Sequence, residues 1–261
     1  MARWKGVFNK QGIVGLDMGS CTIKAVQVEP TRTGWRLLQI AQCPTPSDSI
    51  RDGVIVQPEE IANAIKRLLR ENGFRASVAV TAIAGASVIV RQVTLPKMTE
   101  AMLRKTIRYE ASKYVSTSIE DSYIGFEILG DVDAPQEAEN EQPEKQMHVL
   151  LVVAPREMVD AQIRTLEMAG LEAAAIEVEA FALYRALLEI NRVAMASSDA
   201  PVAIADIGAE STNIYIVSKD GFFLTRTIPI AGDAFTQTVQ SLLHCSWSEA
   251  ERFKRTVDLR H

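Results

Sequence analysis

The chain has 261 residues, 47% of them hydrophobic, three cysteines and a formal net charge of −5 at pH 7. This length and hydrophobic content can bury more than one core, whereas the acidic balance argues against direct nucleic-acid binding, and unclustered cysteines argue against disulfides or a zinc site. No apolar run reaches the roughly 20 residues that span a bilayer and residues 1–10 lack a secretory apolar stretch, so we expect a soluble cytoplasmic protein.

The first third of the chain predicts an antiparallel sheet followed by a helix. Residues 1–10 combine cations with large apolar side chains, and a terminus without fixed structure is favoured there over contact with an anionic membrane. Alternating polarity predicts a β-hairpin over 14–28 and a third strand over 35–42. A helix is predicted from Pro58 to Gly73, because its large apolar residues fall on one face.

The middle of the chain predicts a second group of strands and helices. Strands are expected at 76–84, 88–95, 122–129 and 147–154. Thr99 predicts the start of a helix with Leu103, Ile107 and Ala111 on its buried face. Pro155 predicts the first residue of another helix, which ends at Gly170. The acidic stretch 131–146 predicts a mobile surface loop, because it contains almost nothing apolar.

The last third predicts a helix over 179–191, a linker over 197–200 and a second antiparallel sheet. After the sheet's strand at 221–230, a further helix begins at Gly232 and Asp233. These two residues either face a phosphate or simply cap the helix, and the pattern favours neither. The motif Ser246-x-x-Glu249 predicts a capping box that starts the final helix.

Two matched Asp-x-Gly turns are the main functional signal. One turn alone means little, since Asp and Gly are common turn residues, but two copies between apolar strands favour two jaws that grip one phosphate chain. Backbone N–H groups in such turns bind anions, an Asp on each side can orient Mg²⁺ through water, and a Lys on a returning strand can face the phosphates. The residues concerned are Asp17, Gly19, Ser20, Thr22 and Lys24 in the first copy and Asp206, Gly208 and Thr212 in the second.

The two turns resemble the phosphate-1 and phosphate-2 hairpins of the actin-like ATPase superfamily. Within it, the chain is similar to the PilM family of type IV pilus assembly proteins from about residue 13 to residue 254. The motifs that carry this resemblance are Leu95-Pro96-Lys97-Met98, the segments 107–115 and 119–121, and the second turn, 206–212. Ser116 and Thr117 stand where that family often has proline, which affects the expected shape of one loop.

The resemblance implies an α/β actin-like ATPase fold built from ribonuclease H-like subdomains. Residues 1–84 and 172–205 would form subdomain 1A, residues 85–171 an inserted 1C (SHS2) subdomain of the FtsA type, and residues 206–261 the start of the second half. That half would be incomplete, because neither the family's glycine-rich adenosine motif nor its closing helix is found.

The same resemblance implies ATP and Mg²⁺ as cofactors. Asp17 and Asp206 would orient the Mg²⁺ ion. Gly232 and Asp233 would face the phosphates, and Glu251 and Lys254 would contact the adenosine. An ordinary charged helix face is the alternative for the last two. Glu179 would orient the attacking water, although an acid at a helix start also complements the helix dipole. We expect nucleotide binding more than turnover, with at most slow ATPase activity.

The implied function is a cytoplasmic platform, peripheral on the inner membrane, that recruits the N-terminal tail of PilN to the pilus assembly complex. This would connect it to twitching motility and DNA uptake, and it is compatible with a homo-oligomer. One alternative is an FtsA-like, membrane-tethered, polymerising ATPase; another is a small-molecule kinase of the same superfamily, against which the 1C-like insert argues. Motifs of P-loop, Rossmann, zinc-protease and nucleophile-elbow enzymes are absent from the sequence.

Overall fold

The computed structural model describes residues 12–32, 34–115, 118–133, 145–189, 200–218 and 221–257. The predictions for the N-terminal decapeptide, for the loop at Ser116 and Thr117, for the interior of the acidic stretch, for residues 190–191 and for most of the 197–200 linker lie outside these residues. In the described part of the chain, no helix is long and apolar enough to cross a membrane.

A five-stranded sheet organises the first half of the chain, in the order β10-β6-β1-β2-β3. The meander β1–β2–β3 is antiparallel, as predicted, and β6 and β10 run parallel to β1. Two short strands, β4 (Ile50–Arg51) and β5 (Val54–Ile55), form a separate pair before the first helix. The strands of the main sheet are β1 (Gly12–Met18), β2 (Thr22–Pro30), β3 (Trp35–Pro44), β6 (Ala76–Ile83) and β10 (Glu172–Val178).

Two helices, α1 (Pro58–Glu71) and α3 (Arg156–Met168), cover one face of this sheet. The apolar side chains of α1 recur at helical spacing and are buried, Pro58 lies in its first turn, and Gly73 follows it with a left-handed φ of 69°. These features confirm the predicted helix. The shared core contains Val14, Leu16, Ile23, Ile61, Ile65, Leu68, Ala161 and Leu166.

A second, three-stranded sheet has the order β7-β9-β8, with strands β7 (Ile89–Pro96), β8 (Ser122–Asp133) and β9 (Lys145–Pro155). Helix α2 (Glu100–Ser112) packs on it, and a short 3₁₀ turn, Ile119–Asp121, leads into β8. The Thr99 hydroxyl accepts a hydrogen bond from the Met102 N–H at 3.3 Å, which confirms the predicted N-cap. The core of this unit contains Val93, Leu95, Leu103, Ile107, Ala111, Met147, Val149 and Leu151.

Two predictions about this region were wrong in detail. Pro155 pairs with Ser122 at the end of β9, so it is the N-cap of α3, and the helix begins one residue later than expected. The predicted loop 131–146 is also too long at both ends. Asp131 pairs with Met147, Asp133 pairs with Lys145, and the Asp131 carboxylate forms an ion pair with Lys97, so cross-strand pairing extends the hairpin into acidic sequence.

Helix α3 packs mainly against the first sheet, although it follows β9 of the second sheet in the sequence. Its Ala161 and Leu166 lie in the first core, and the Gln162 side-chain amide donates to the Ala82 carbonyl of β6 at 3.0 Å. The boundary of the predicted 85–171 insert therefore stays a prediction. If that boundary is kept, its last helix anchors the insert to the larger sheet.

The second half contains a three-stranded antiparallel sheet, β11-β12-β13, and two helices. Its strands are β11 (Val202–Ile207), β12 (Thr212–Ser218) and β13 (Gly221–Ile228), and its helices are α5 (Gly232–Leu243) and α6 (Trp247–Thr256). The capping box is confirmed. The Ser246 hydroxyl accepts from the Glu249 N–H, and the Glu249 carboxylate accepts from the Ser246 N–H at 2.9 Å.

The connecting helix differs from its prediction. Helix α4 (Glu179–Tyr184) begins at the predicted residue, but a π-turn, Arg185–Glu189, replaces the continuous α-helix. The wider turn accompanies burial of Leu188 in a cluster with Ile204 and Tyr215 of the second half. The spacing of apolar residues could not predict this π-turn, because it goes with packing between the two halves of the chain.

Candidate functional site

The first Asp-x-Gly turn presents a close charge pair at the end of β1 and β2. Asp17 lies opposite Lys24 in the strand register, and the Lys24 ammonium contacts the Asp17 carboxylate at 2.6 Å. Both side chains are more than half exposed. The ion pair with Asp17 therefore positions Lys24, and because this pair is exposed, a phosphate could replace Asp17 as the partner of Lys24.

The backbone of this turn closes on itself. The Gly19 N–H donates to the Thr22 carbonyl at 3.2 Å, and a Cβ on Gly19 would lie only 3.1 Å from that oxygen. Thr45 braces the turn from outside: its N–H donates to the Cys21 carbonyl at 3.0 Å, and its hydroxyl donates to the Gly19 carbonyl at 2.6 Å. The side chains of Ser20 and Thr22 make no hydrogen bond with any residue in the described ranges, so their hydroxyls are available to a ligand.

The second turn repeats this geometry. The Gly208 N–H donates to the Ser211 carbonyl at 3.0 Å, and a Cβ on Gly208 would approach that oxygen to the same distance, 3.0 Å. Asp206 lies opposite Asn213 as Asp17 lies opposite Lys24. Only the first hairpin therefore carries a cation at this place. The Thr212 hydroxyl donates to the Ile230 carbonyl at 2.7 Å, so this predicted ligand has a structural contact of its own.

Glu179 lies between the two hairpins. Burial, more than any other cause, raises the pKa of its carboxyl to about 8, and a hydrogen bond with Asp206 and the negative charges of Asp206 and Asp17 act in the same direction. The Tyr215 hydroxyl donates to Glu179 Oε1 at 3.3 Å. The structure thus brings Asp17, Asp206 and Glu179, which are far apart in the sequence, to one place.

The raised pKa sets the chemistry that Glu179 can perform. Near pH 7 its carboxyl is mostly protonated, so it donates a hydrogen bond to Asp206 and is a poor general base in this state. Burial and the negative charges of Asp206 and Asp17 thus explain both the hydrogen bond that Glu179 donates and its weakness as a base. A cation brought close to the two aspartates would lower the pKa of Glu179 by offsetting their charge.

The start of α5 is docked against the second turn. The Gly232 N–H donates to the Gly208 carbonyl at 3.1 Å, and the Asp233 N–H donates to the Ala209 carbonyl at 2.8 Å. Both amides that were predicted to face a phosphate thus have protein acceptors. The helix start therefore supports the second Asp-x-Gly turn, and a direct phosphate contact of Gly232 and Asp233 stays a prediction.

Glu251 and Lys254 on α6 extend this support. The Lys254 ammonium donates to the Gly232 carbonyl at 3.0 Å and to the Thr236 hydroxyl at 2.7 Å, and it pairs with the Glu251 carboxylate at 2.6 Å. Hydrogen bonds from Lys254 and Thr236 lower the pKa of the Glu251 carboxyl to about 2, and Arg255 contributes in the same direction. These residues tie α6 to α5, and their predicted contact with adenosine remains untested.

Sequence reasoning missed two acidic side chains and one tyrosine near the turns. Burial raises the pKa of Glu210, within the second turn, and the charges of Asp233 and of Asp52 from the first half add to this effect. Glu210 could have been noticed because it lies inside the motif. Tyr215 could also have been noticed, because it lies on β12 just after the second turn. Asp52 could not, since it belongs to the first half and only packing brings it near Glu210.

The donor set is suited to a hard cation that keeps its own water. Carboxylate oxygens are the ligands that Mg²⁺ prefers, and it binds proteins through few direct ligands and several waters. Within the described ranges, no three His, Cys, Asp or Glu side chains are close enough to hold a metal ion directly. Asp17 and Asp206 therefore fit a role at the water shell of the ion better than a role in a complete protein cage.

Comparisons with known proteins relate the chain to cell division and pilus proteins. It is 25% identical to the cell division protein FtsA of Bacillus subtilis over 265 residues, covering 95% of this chain and 58% of FtsA. It is 27% identical to FtsA of Pseudomonas aeruginosa over 262 residues, covering 93% of this chain and 60% of that protein. The chain thus spans less than two thirds of the length of these relatives.

A solved structure of the PilM–PilN type IV pilus biogenesis complex matches with a TM-score of 0.79 and 29% identity, covering 94% of this chain and 69% of the matched one. The predicted fold class is confirmed: the chain has the α/β fold of actin-like ATPases. The family model for the type IV pilus assembly protein PilM matches residues 15–261. The chain therefore belongs to the PilM family of type IV pilus assembly proteins, as the sequence motifs predict.

Proposed function

We propose that the chain binds ATP with Mg²⁺ between its two Asp-x-Gly hairpins. The observation that carries this proposal is the convergence of Asp17, Asp206 and Glu179, whose carboxyl groups interact although they come from three separate segments. Repulsion among acids is costly unless a cation or a proton offsets it, and here Glu179 holds a proton. A magnesium ion with its waters would offset the same charge in the loaded state.

The residues divide the work of binding. Asp17 and Asp206 orient the water shell of the metal, which in turn neutralises phosphate charge. Lys24 exchanges its contact with Asp17 for a contact with phosphate, and the turns at Gly19 and Gly208 let the backbone come close to the phosphate oxygens. The second turn reaches its position through the α5 and α6 contacts at Gly232 and Lys254.

We also propose that binding outweighs turnover. Glu179 would be the residue that orients water for hydrolysis, but its raised pKa keeps it mostly protonated near pH 7. Hydrolysis would then be slow and would accelerate as Glu179 loses its proton. Such a protein uses the nucleotide to bias the relative position of its two halves.

The proposed partner is the N-terminal cytoplasmic tail of a PilN protein. Support comes from family membership and from the likeness to a PilM–PilN complex. The three-stranded sheet with α2, together with the neighbouring part of the first sheet, would receive this tail as an extended peptide. The protein would then act at the inner membrane through its partner, in pilus assembly and the twitching motility and DNA uptake that depend on it.

A polymerising, membrane-tethered ATPase is the second candidate, because the curated relatives are FtsA proteins. Sedimentation of the protein with ATP and Mg²⁺ separates the two candidates. A pelleting, ATP-dependent polymer favours the FtsA-like function, whereas an unchanged small species that binds the PilN tail favours the platform.

Calorimetry tests the platform directly, with ATP–Mg²⁺ and a PilN tail peptide titrated separately. We expect saturable peptide binding that survives Asp17→Ala, and ATP binding that this substitution weakens. Asp121→Ala is the matched control, since Asp121 is exposed and lies in the 3₁₀ turn before β8, outside both hairpins. Equal ATP affinity in the wild type, Asp17→Ala and Asp121→Ala contradicts the nucleotide assignment, and absent peptide binding contradicts the partner.

A further inference from the structure

Two buried side chains between β6 and α3 each carry a polar atom without a hydrogen-bond partner. Thr81 of β6 is 3% exposed, and Gln162 of α3 is 5% exposed. Within the residues that the structure describes, neither the Thr81 hydroxyl nor the Gln162 side-chain carbonyl oxygen forms a hydrogen bond, so the two do not bond each other directly. Buried polar groups are nearly always paired, with protein or with ordered water, so each of these atoms indicates a further partner.

Strand register and one hydrogen bond place these two atoms at the same level of the interface. Thr81 lies beside Leu16 of β1, and both Leu16 and Ala79, two residues before Thr81 on the same strand face, belong to the core that α3 covers. The Thr81 side chain therefore faces α3. The Gln162 amide nitrogen donates to the carbonyl of Ala82, the residue after Thr81, at 3.0 Å. This bond holds the other end of the same amide, its carbonyl oxygen, close to the Thr81 hydroxyl.

The chemistry of this pair fits a water molecule. A threonine hydroxyl can donate and a side-chain carbonyl can only accept, so a molecule between them has to accept from the first and donate to the second. Both groups are uncharged and the surrounding core is aliphatic, so an ion would be buried there without a counter-charge. Water accepts and donates, and it bridges groups roughly 4.5 to 5.5 Å apart, because each hydrogen bond measures about 2.8 Å. Internal waters typically bind polar groups that the chain leaves unpaired.

We propose that Thr81 and Gln162 bind a buried water molecule between β6 and α3. The Thr81 hydroxyl donates to this water, and the water donates to the Gln162 carbonyl oxygen, while the Gln162 amide nitrogen keeps its bond to the Ala82 carbonyl. Both ends of the Gln162 amide are then paired, and the water belongs to the contact that fixes α3 on the first sheet. The site is independent of the proposed nucleotide and PilN contacts, because neither side chain is assigned to them.

Oxygen-17 magnetic relaxation dispersion of the whole chain tests this proposal, because it counts the long-lived waters inside a protein. Thr81→Val replaces the hydroxyl by a methyl group of similar size, and we expect it to lower the count by one. Thr81→Ser keeps the hydroxyl and should keep the wild-type count. Thr165→Val is the matched control, since Thr165 is a fully buried threonine of α3 whose hydroxyl already donates to the Ala161 carbonyl at 2.7 Å. Its count should equal that of the wild type.

Thermal unfolding adds a second readout, the sign of the stability change. With a bridging water, Thr81→Val leaves the Gln162 carbonyl oxygen without its partner and should lower the melting temperature by about 3 °C. Replacing a hydroxyl that has no partner should raise the melting temperature instead, and that result overturns the proposal. Gln162→Leu should remove the same water, so the double variant should lose one water and not two; if Gln162→Leu does not fold, the Thr81 variants decide. An unchanged water count in Thr81→Val overturns the site, and together with a lower melting temperature it assigns a direct bond between Thr81 and Gln162.

Discussion

The two Asp-x-Gly hairpins have the same turn geometry but different surroundings. In each, a glycine N–H closes the turn on a carbonyl three residues later, and an aspartate precedes the glycine by two positions. The first hairpin displays an exposed pair, Asp17 and Lys24, and its turn accepts a hydrogen bond from the Thr45 hydroxyl. The second hairpin has Asn213 in place of the lysine. The N-terminus of α5 donates hydrogen bonds to its turn, and Lys254 of α6 in turn binds the Gly232 carbonyl of α5.

This difference assigns complementary tasks to the two hairpins. In the proposed nucleotide complex, the first hairpin would supply the charge for a phosphate, because solvent reaches Lys24 and its exposed ion pair is weak enough to exchange. The second hairpin has the supporting hydrogen bonds: the Gly232 N–H donates to the Gly208 carbonyl, and Lys254 donates to the Gly232 carbonyl. Glu179 lies between them and responds to both aspartates. Four experiments test this difference between the hairpins, and the experiment with the greatest predicted change comes first.

The pH dependence of stability tests the position of Glu179 between the hairpins. The folded pKa of Glu179, about 8, lies above its ordinary value of 4.5, so the folded state binds the proton more tightly. That stabilisation is complete below the unfolded pKa and is lost as pH rises through the folded pKa. Between about pH 4.5 and pH 8, the free energy of unfolding should therefore fall less in Glu179→Gln than in the wild type, by about a few kcal/mol. Urea titrations without Mg²⁺ at a series of pH values measure this difference.

Glu172→Gln is the control for this experiment, because Glu172 is an exposed carboxylate at the other end of β10. It should leave the pH dependence as in the wild type. If both variants keep the wild-type slope, Glu179 does not carry a raised pKa and the two aspartates do not converge on it.

Loss of either aspartate tests the shared role of the hairpins. Asp206→Ala and Asp17→Ala each remove one anchor of the metal's water shell, and each should weaken ATP–Mg²⁺ binding about tenfold or more, which is about 1.4 kcal/mol. Calorimetry with and without Mg²⁺ measures this effect. An affinity that falls equally without Mg²⁺ would show that the aspartates act on the fold instead of the metal.

Lys254→Met tests the support behind the second hairpin. The substitution keeps the length of the side chain but removes the donor to the Gly232 carbonyl and the Thr236 hydroxyl. Stability should fall by about 1 kcal/mol, because hydrogen bonds at a partly buried site are lost. Thermal unfolding of Lys254→Met and of Arg252→Met, an exposed neighbour on α6, measures the difference. Equal melting temperatures would contradict the supporting role.

Lys24→Ala tests the exchangeable charge of the first hairpin and should have the smallest effect on stability. The ion pair with Asp17 is exposed, so its loss should cost less than about 1 kcal/mol. ATP affinity should nevertheless fall severalfold, because a phosphate contact is removed. Lys105→Ala, on the exposed face of α2, is the control. A large loss of stability in Lys24→Ala would identify Lys24 as a structural residue.

Local sequence patterns were sufficient for most of the elements and for both turns. Asp17, Gly19, Asp206 and Gly208 were found because a tight turn needs residue types that few other structures require, and the capping box at Ser246 was found for the same reason. Family motifs supplied the fold class, which neither composition nor periodicity could distinguish from other α/β arrangements.

The tertiary structure alone decided how these residues act together. From the sequence, Glu179 could be either a water-orienting residue or an ordinary helix-start acid, and its raised pKa arises only because folding buries it beside Asp206 and Asp17. The sequence left open whether Gly232 and Lys254 contact a ligand or have only structural roles, and the docking of α5 and α6 gives both of them protein partners. Turn and cap signals depend on a few neighbouring residues and can be read from the sequence, whereas desolvation and partner choice depend on residues far apart along the chain, which only packing brings into contact.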